Sequence, residues 1–499
     1  MSETRPGGVG GTLEGEAFRW PAERPEDLAP PPAPRARRPR PSGVQYALSA
    51  LGMLLAAGVY LMPAPQGLSP AAQAASAVFV ACTTLWVTDL IPIGVTGLLA
   101  VAGLVLLGAM QPAEAYAAFG NSAVFFIIGV FILAAATIHS GMSKRLALFF
   151  LRRFQRSAFS LAAGLMLTAA FLTVWMPAQA TAAMLFPIAL ELSGAMGLRA
   201  GRSAYGKLLF LSLAWGAMVG SNASFLGSTR APLALGILQR TFGQQITFGQ
   251  WALAAFPVVV LGAALGLALL RAWFPPEPVD LAAARRAIAR SVHELGPMRR
   301  PQALVAVVVG ATVAAWVTLG GRVDLAAIAL AAAGVLFLVR ALEWQDLDGY
   351  VHWGIVLMYG GAIALGEALE ATGAARWLVG GLMGDVSVSP WVAVAGLALL
   401  AVVLTEFMSN AAAVAVVLPL GFSMAPQLGL SPAAIVLTCS MAAGLDFAFP
   451  FSSAPNTIAY SSGYLHMRDM LAAGSVMTAL QIALLLLVAW LWWPLIGVL

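Results

Sequence analysis

The residues able to do chemistry gather in a few short polar stretches set inside apolar sequence. "TEFMSNAA" (405–412) carries Thr405, Glu406, Ser409 and Asn410, and "PFSSAPNT" (450–457) carries Ser452, Ser453, Pro455, Asn456 and Thr457, with Asp446 just upstream. Hydroxyls and side-chain amides donate to an anion, and their oxygens suit a small hard cation. A second pair of stretches, "MPAQATAAMLFP" (176–187) and "GSTRA" (227–231), offers Gln179, Thr181, Ser228, Thr229 and one charge, Arg230. A guanidinium at membrane depth costs about 2.5–3.5 kcal/mol on insertion scales, so Arg230 needs a partner. Asp446 and Glu406 are the acidic residues expected at similar depth. Enzyme chemistry is disfavoured: no Ser–Lys or Asp–Asp constellation is visible, the four histidines are scattered, and Cys82 and Cys439 lie apart in apolar runs. No organic cofactor is expected.

The elements that position these residues follow from composition. Of 499 residues, 60% are hydrophobic and 10% charged. So few charges cannot cover so much apolar surface, which makes the bilayer the solvent and an all-α polytopic membrane protein the fold class. The alternating ten-residue segments of a barrel are absent. Residues 1–43 read as a disordered, basic, Pro-rich tail, whose Arg35, Arg37, Arg38 and Arg40 suit anionic lipid heads. The tail lacks the apolar core of a secretory signal. Residues 44–271 then hold the first scaffold helices and a first repeat, with a hairpin at 158–198 and a broken helix at 204–243. A cytoplasmic linker follows at 272–301. Residues 302–499 hold a second repeat, with a hairpin at 389–429, a broken helix at 431–465 and a last helix.

Short, Pro- or Gly-interrupted segments at matching places in two halves are the sequence mark of a carrier's binding site. Here "LTVWMPAQATAAMLFPI" (172–188) lies on "LTEFMSNAAAVAVVLPL" (404–420) at an offset of 232, which also places Gly129 on Gly361, Gly141 on Gly373 and Arg145 on Trp377. The breaks, at 176–181, 408–412, 227–232 and 450–457, are expected to meet near the midplane. Helix N-termini there suit anions, and freed carbonyls suit sodium. With a cytoplasmic N-terminus and re-entrant hairpins, twenty-three basic residues fall inside, and only Arg240, Arg322 and Arg376 fall outside. This gives about eleven crossings plus two re-entrant hairpins in an inverted repeat, placed in a bacterial inner membrane.

These residues resemble a family. "WVTDLIPIGVT" (86–96), "HWGIVLMYGGAIALGEALEATG" (352–373), "TEFMSNAA" and "SSAPNTIAYSSGYLHMRDML" (452–471) look like the divalent anion:sodium symporters, carriers of dicarboxylates, citrate or sulfate. The resemblance implies an elevator-type carrier with scaffold and transport domains, usually a homodimer, that handles a small anionic substrate in the lipid bilayer and has no nucleic-acid partner. It implies a Ser-Asn-Thr triplet at each hairpin tip. The second tip keeps Ser409 and Asn410, with Ala411 in the third place, and Thr405, Asn410 and Ser452 form one sodium site. The Thr-Pro-Pro-Asn of the second break reads Ser453-Ala454-Pro455-Asn456.

The first half departs from the family. Pro177, Ala178 and Gln179 stand where the triplet belongs, and Gly227, Ser228, Thr229, Arg230 and Ala231 stand where Gly-Thr-Pro-Pro-Asn belongs. Sodium about 4 Å from a guanidinium would be repelled by about 4 kcal/mol at an effective dielectric of 20. Arg230 is therefore expected to replace that sodium as a fixed charge, or to bind a substrate anion in bidentate fashion. An ion pair with Asp446 or Glu406 is the alternative, and a pairing of that kind would open proton coupling. The substrate-binding set expected from both halves is Gln179, Thr181, Ser228, Thr229, Arg230, Ser409, Asn410, Ser453, Pro455, Asn456 and Thr457. Two other readings stand beside a dicarboxylate carrier: a carrier or exchanger of sulfate or another oxyanion, and, more remotely, a membrane sensor that transports nothing.

Overall fold

The computed structural model describes residues 41–383 and 389–498, so nearly all of the expected tail lies outside the described residues. Every regular element among them is a helix. The first part of the chain forms α1 (Gly43–Leu61), α2 (Pro70–Thr88), α3 (Ile93–Leu106), α4 (Pro112–Ala117), α5 (Ser122–His139), α6 (Met142–Leu151), α7 (Ala158–Leu172), α8 (Ala178–Ala195), α9 (Ala204–Gly220), α10 (Arg230–Phe242) and α11 (Phe248–Trp273). After α12 (Leu281–Glu294) come α13 (Arg300–Leu319), α14 (Leu325–Leu338), α15 (Trp353–Ala371), α16 (Ala374–Met383), α17 (Pro390–Thr405), α18 (Asn410–Leu428), α19 (Pro432–Ala442), α20 (Ala454–Ser461) and α21 (Met467–Leu491). Eight of the described helices are long and apolar enough to cross a membrane, and six shorter apolar ones accompany them.

The starts of these helices are written locally. Ser69, Ser157, Ser203, Ser389 and Ser431 each accept an N–H of the first turn that follows, which satisfies a donor the helix cannot. In α2, α17 and α19 a proline comes directly after the capping serine, where its missing N–H costs nothing.

The offset of 232 recurs in the backbone. It carries α3 onto α14 and α6 onto α16 at both ends, and it carries the starts of α7 and α8 onto those of α17 and α18. It even preserves a turn. Gly108 and Arg340 both adopt positive φ (74° and 53°), one after α3 and the other after α14. A non-glycine residue rarely occupies that region, so Arg340 retains a conformation that its counterpart's glycine holds without strain.

The two halves interlock. α3 packs on α15, and its repeat partner α14 packs on α5. α10 leaves its own half to pack on α18 and α19, while α20 packs on α8 and α9. The latches at the ends of the helices are exchanged in the same way. Arg145 on α6 donates to the carbonyls of Leu295, Gly296 and Pro297 at 3.0–3.1 Å, gripping the chain just before α13. Its repeat partner Trp377 on α16 donates to the Gln66 carbonyl at 3.3 Å, just before α2. Arg145→Ala is expected to lower stability by about 1–2 kcal/mol, because its charge-assisted bonds to these carbonyls are partly solvated. Hydrogen exchange at the Leu295 and Gly296 amides should rise, and unchanged protection there would refute the latch.

Three sequence expectations are revised. The linker at 272–301 contains α12, whose apolar side packs on α6 and α8 and whose Ser291 donates to Glu191 at 3.0 Å. The two breaks also begin earlier than expected. α9 stops at Gly220 and α19 at Ala442, so the non-helical segments span 221–229 and 443–453 rather than 227–232 and 450–457. At the first end, a Cβ on Gly220 would fall on Ala170 and on the Thr173 hydroxyl, so the chain turns in tight contact with α7.

Candidate functional site

In each half, the turn of a helical hairpin meets the break in a later helix. In the second half Ser409 caps α18, its Oγ accepting from the Ala412 N–H at 3.3 Å, and Asn410 is the first helical residue. Ser453 caps α20 in the same way, accepting from the Asn456 N–H at 3.4 Å. Glu406 joins tip and break, its two oxygens accepting from the Ala448 and Phe449 N–H groups at 3.2 and 3.3 Å. Thr405 joins them again by donating to the Ala443 carbonyl at 2.8 Å. The buried Asn456 donates to the carbonyls of Asp446 and Phe449 at 3.0 and 3.1 Å, and Ser452 donates to the same two at 2.7 and 2.8 Å. The carboxylate of Asp446 accepts from the Asn410 amide at 3.5 Å. Thr457 is exposed, and its hydroxyl is spent on the Pro450 and Ser453 carbonyls. Pro455 is buried in the first turn of α20.

The first half is built differently. α8 begins after Pro177 and α10 after Thr229, and neither start has a side-chain cap, so losing the family's serine also removes a cap. Its freed carbonyls are satisfied from elsewhere. Gly227 accepts from the Ala178 N–H at 3.1 Å, Asn222 from the Trp251 indole at 3.0 Å, Val174 from Ser224, and Thr229 from the Tyr359 hydroxyl. Gln179 is half-buried, whereas Thr181 and Ser228 are buried with hydroxyls that find no partner among the described residues.

Arg230 is the first residue of α10 and is 4% exposed. Because α10 crosses into the other half, the guanidinium lies between the two breaks. Nε donates to the Ser440 carbonyl at 2.7 Å, and Nη2 donates to Ser221 Oγ at 3.0 Å and to Asn222 Oδ1 at 2.7 Å. Gly444 makes the room, since a Cβ there would fall on the guanidinium. The alternative reading of an ion pair with Asp446 or Glu406 is not met. Glu406 is held by backbone N–H groups, and Arg230 is solvated by a carbonyl, a hydroxyl and an amide, which delocalise its charge without a partner of opposite sign in contact. The fields of Asp446 and Glu406 still reach one another, and that of Arg230 reaches Asp446.

Asn222, Ser221 and Ser440 are site residues that sequence reasoning missed. Asn222 lies in the non-helical segment just after α9, and the early end of α9 is what turns it toward Arg230. Other polar residues at depth have local roles. Thr168 donates back to Gly164 at 2.6 Å, and Glu367 accepts from Arg240 at 2.8 Å.

The two halves therefore differ in their fitness for sodium. The second offers hard oxygens from Thr405, Asn410 and Ser452, and two buried oxygens nearby, Asp446 Oδ2 and Asn456 Oδ1, have no partner among the described residues. In the first, Ser221 Oγ and Asn222 Oδ1 are already taken up by the Arg230 guanidinium.

A family model described as the sodium:sulfate symporter transmembrane region matches residues 45–499. Curated relatives include the sodium-dependent dicarboxylate transporter SdcS of Staphylococcus saprophyticus, 26% identical over 88% of this chain and 90% of that protein. SdcS of Staphylococcus aureus is 25% identical over 83% of this chain and 84% of that protein. Two solved structures share the fold. MtrF of Neisseria gonorrhoeae, assigned to a class of antimetabolite efflux pumps, is 15% identical with a TM-score of 0.55, over 91% of this chain and 95% of that one. The YdaH transporter of Alcanivorax borkumensis is 13% identical with a TM-score of 0.51, over 92% and 99%.

Proposed function

The chain belongs to the sodium:sulfate symporter family, and from that premise we propose that it carries small divalent organic anions by an elevator motion, with sodium bound at one site instead of two. It is an integral membrane transporter of the divalent-anion class and not an enzyme. Dicarboxylates are favoured as cargo because the relatives are named for them.

One observation carries the finer reading, the seating of Arg230 among Ser440, Ser221 and Asn222. A permanent positive charge held among oxygens of both halves does electrostatically what a bound sodium would do, without exchanging with the solution. The edge of the fork formed by Nε and Nη2 is already used inside the protein, so a bidentate grip on substrate through that edge is closed. The fixed-charge role is the one supported. Substrate would then meet the second half's Ser409, Asn410 and Ser453, with Thr181 and Ser228 on the first-half side. Thr405, Asn410 and Ser452 would hold the cation, which supplies positive charge beside the anion. A bacterial inner membrane, a cytoplasmic N-terminus, an inverted repeat with two re-entrant hairpins and a homodimeric assembly complete the proposal.

Uptake of labelled succinate into proteoliposomes, titrated with sodium, tests it. A dependence of order about one in sodium is expected, because a second coupled ion would have to sit within a few ångströms of a guanidinium. Two cooperative sodium ions would overturn the reading. A compact site facing one arginine also suits sulfate, as the family's description does. Competition between succinate, citrate and sulfate in the same vesicles ranks them, with succinate or citrate expected to displace sulfate.

A further inference from the structure

The second break leaves a deficit that the family's donor set does not explain. Asp446 is 1% exposed and Asn456 is fully buried, yet Asp446 Oδ2 and Asn456 Oδ1 accept no hydrogen bond among the described residues. Their surroundings fix what each one lacks. The Asn456 amide nitrogen is committed to the Asp446 and Phe449 carbonyls, so its oxygen is turned away from both. Oδ1 of Asp446 receives only the 3.5 Å bond from Asn410 at the hairpin tip. Neither neighbouring charge fills the gap. Glu406 is saturated by two backbone N–H groups, and the Nε and Nη2 hydrogens of Arg230 go to Ser440, Ser221 and Asn222.

Both orphaned atoms are oxygens and acceptors only, which repels an anion and calls for a cation or a donor. No sulfur or imidazole lies in the set, so the preference is for a hard, oxygen-bound ion. We propose that Asp446 is a direct anionic ligand of the sodium at the second hairpin tip, with Asn456 Oδ1 beside it. The inference deepens the carrier reading above and rests on it. A shell of neutral hydroxyls, amides and carbonyls would depend on the incoming substrate for negative charge. With Asp446 in the shell, the chain supplies that charge itself, and sodium binds before any substrate arrives. Asp446 then sets both the affinity for the cation and the order of loading.

Equilibrium binding of radioactive sodium to the purified full chain in detergent, with choline as the inert cation and no substrate, reads this directly. One ion per chain is expected, and Asp446→Asn should weaken binding at least about tenfold by removing the anionic oxygen, with Asp446→Glu recovering part of the loss. Equal affinity in Asp446→Asn, or no sodium bound by the wild type without substrate, overturns the proposal. If Asp446→Asn does not fold, the wild type still decides. The Trp215 ring meets Phe447 edge-on at 5.7 Å, so sodium at Asp446 should change an emission that Trp215→Phe removes. No such sodium-dependent change would also overturn the inference. Uptake assays on the same preparation separate the two readings. Sodium binding that depends on Asp446, without uptake of succinate, citrate or sulfate, would sink the carrier reading alone. Uptake with sodium affinity unmoved in Asp446→Asn would sink this one alone.

Discussion

Replacing Arg230 with methionine is expected to abolish uptake and to lower stability by about 3–5 kcal/mol, the net of three buried acceptors left without a donor and the relief of one desolvated charge. Methionine keeps most of the apolar stem but donates nothing. The Ser440 carbonyl, Ser221 Oγ and Asn222 Oδ1 would each lose a charge-assisted bond inside the protein. A buried acceptor left unsatisfied costs about 1–3 kcal/mol. Asp446 would lose the positive field of Arg230, which leaves more negative charge uncompensated where a dianion must bind. Arg230→Lys should retain part of both properties, since an ammonium keeps the charge but not the planar fork that reaches three acceptors. The measurements are thermal unfolding in detergent and uptake at saturating sodium. A methionine variant with wild-type stability and wild-type sodium dependence would refute the account of this residue.

The second large effect is expected at the crossing of α3 and α15. Gly361→Val should prevent most of the chain from reaching a monodisperse folded state. A Cβ at Gly361 on α15 would fall on the backbone of Gly97 on α3, and one at Gly97 would lie 2.6 Å from the Leu357 carbonyl oxygen. Overpacking usually costs about 1–3 kcal/mol because side chains can shift, but here the obstacle is backbone on both sides, so the cost should exceed that range. The repeat supplies the control. Gly129 on α5 and Ala329 on α14 are the register partners of Gly361 and Gly97, and a Cβ at Gly129 would meet the Ala329 methyl at 2.6 Å and its backbone no nearer than 3.0 Å. Gly129→Ala should therefore be milder than Gly361→Ala. Yields from size-exclusion chromatography check this order, and the reverse order would contradict the backbone-contact argument.

Much of this architecture was legible in sequence because duplication wrote it twice. The offset of 232 found from a handful of matched residues also aligns α3 with α14 and α6 with α16, and serine caps mark the starts of five helices. The helix ends at the breaks were harder to see. "AAGLDFAF" (442–449) is apolar on both sides of Asp446, so nothing in its hydropathy shows that α19 has stopped. The role of Asn222 was hidden for the same reason, since it depends on α9 ending at Gly220. An ion pair for Arg230 is the natural guess from charge alone. The carbonyl of Ser440 replaces it, and a backbone acceptor has no signature in side-chain identity.

The exchange of α10 and α20 between the halves has a consequence for how the protein is made. When α8 and α9 leave the ribosome, the helix that must cover them has not yet been synthesised, because 234 positions separate Gly220 from Ala454. At about 5–20 residues per second, that is a wait of roughly 12–47 s. Throughout it, the first hairpin and the first break stand open in the membrane and Arg230 has no Ser440 to bond. The nascent chain is thus a half-built carrier with an unshielded cation, and the arrival of its second half closes the fold and the site in one event.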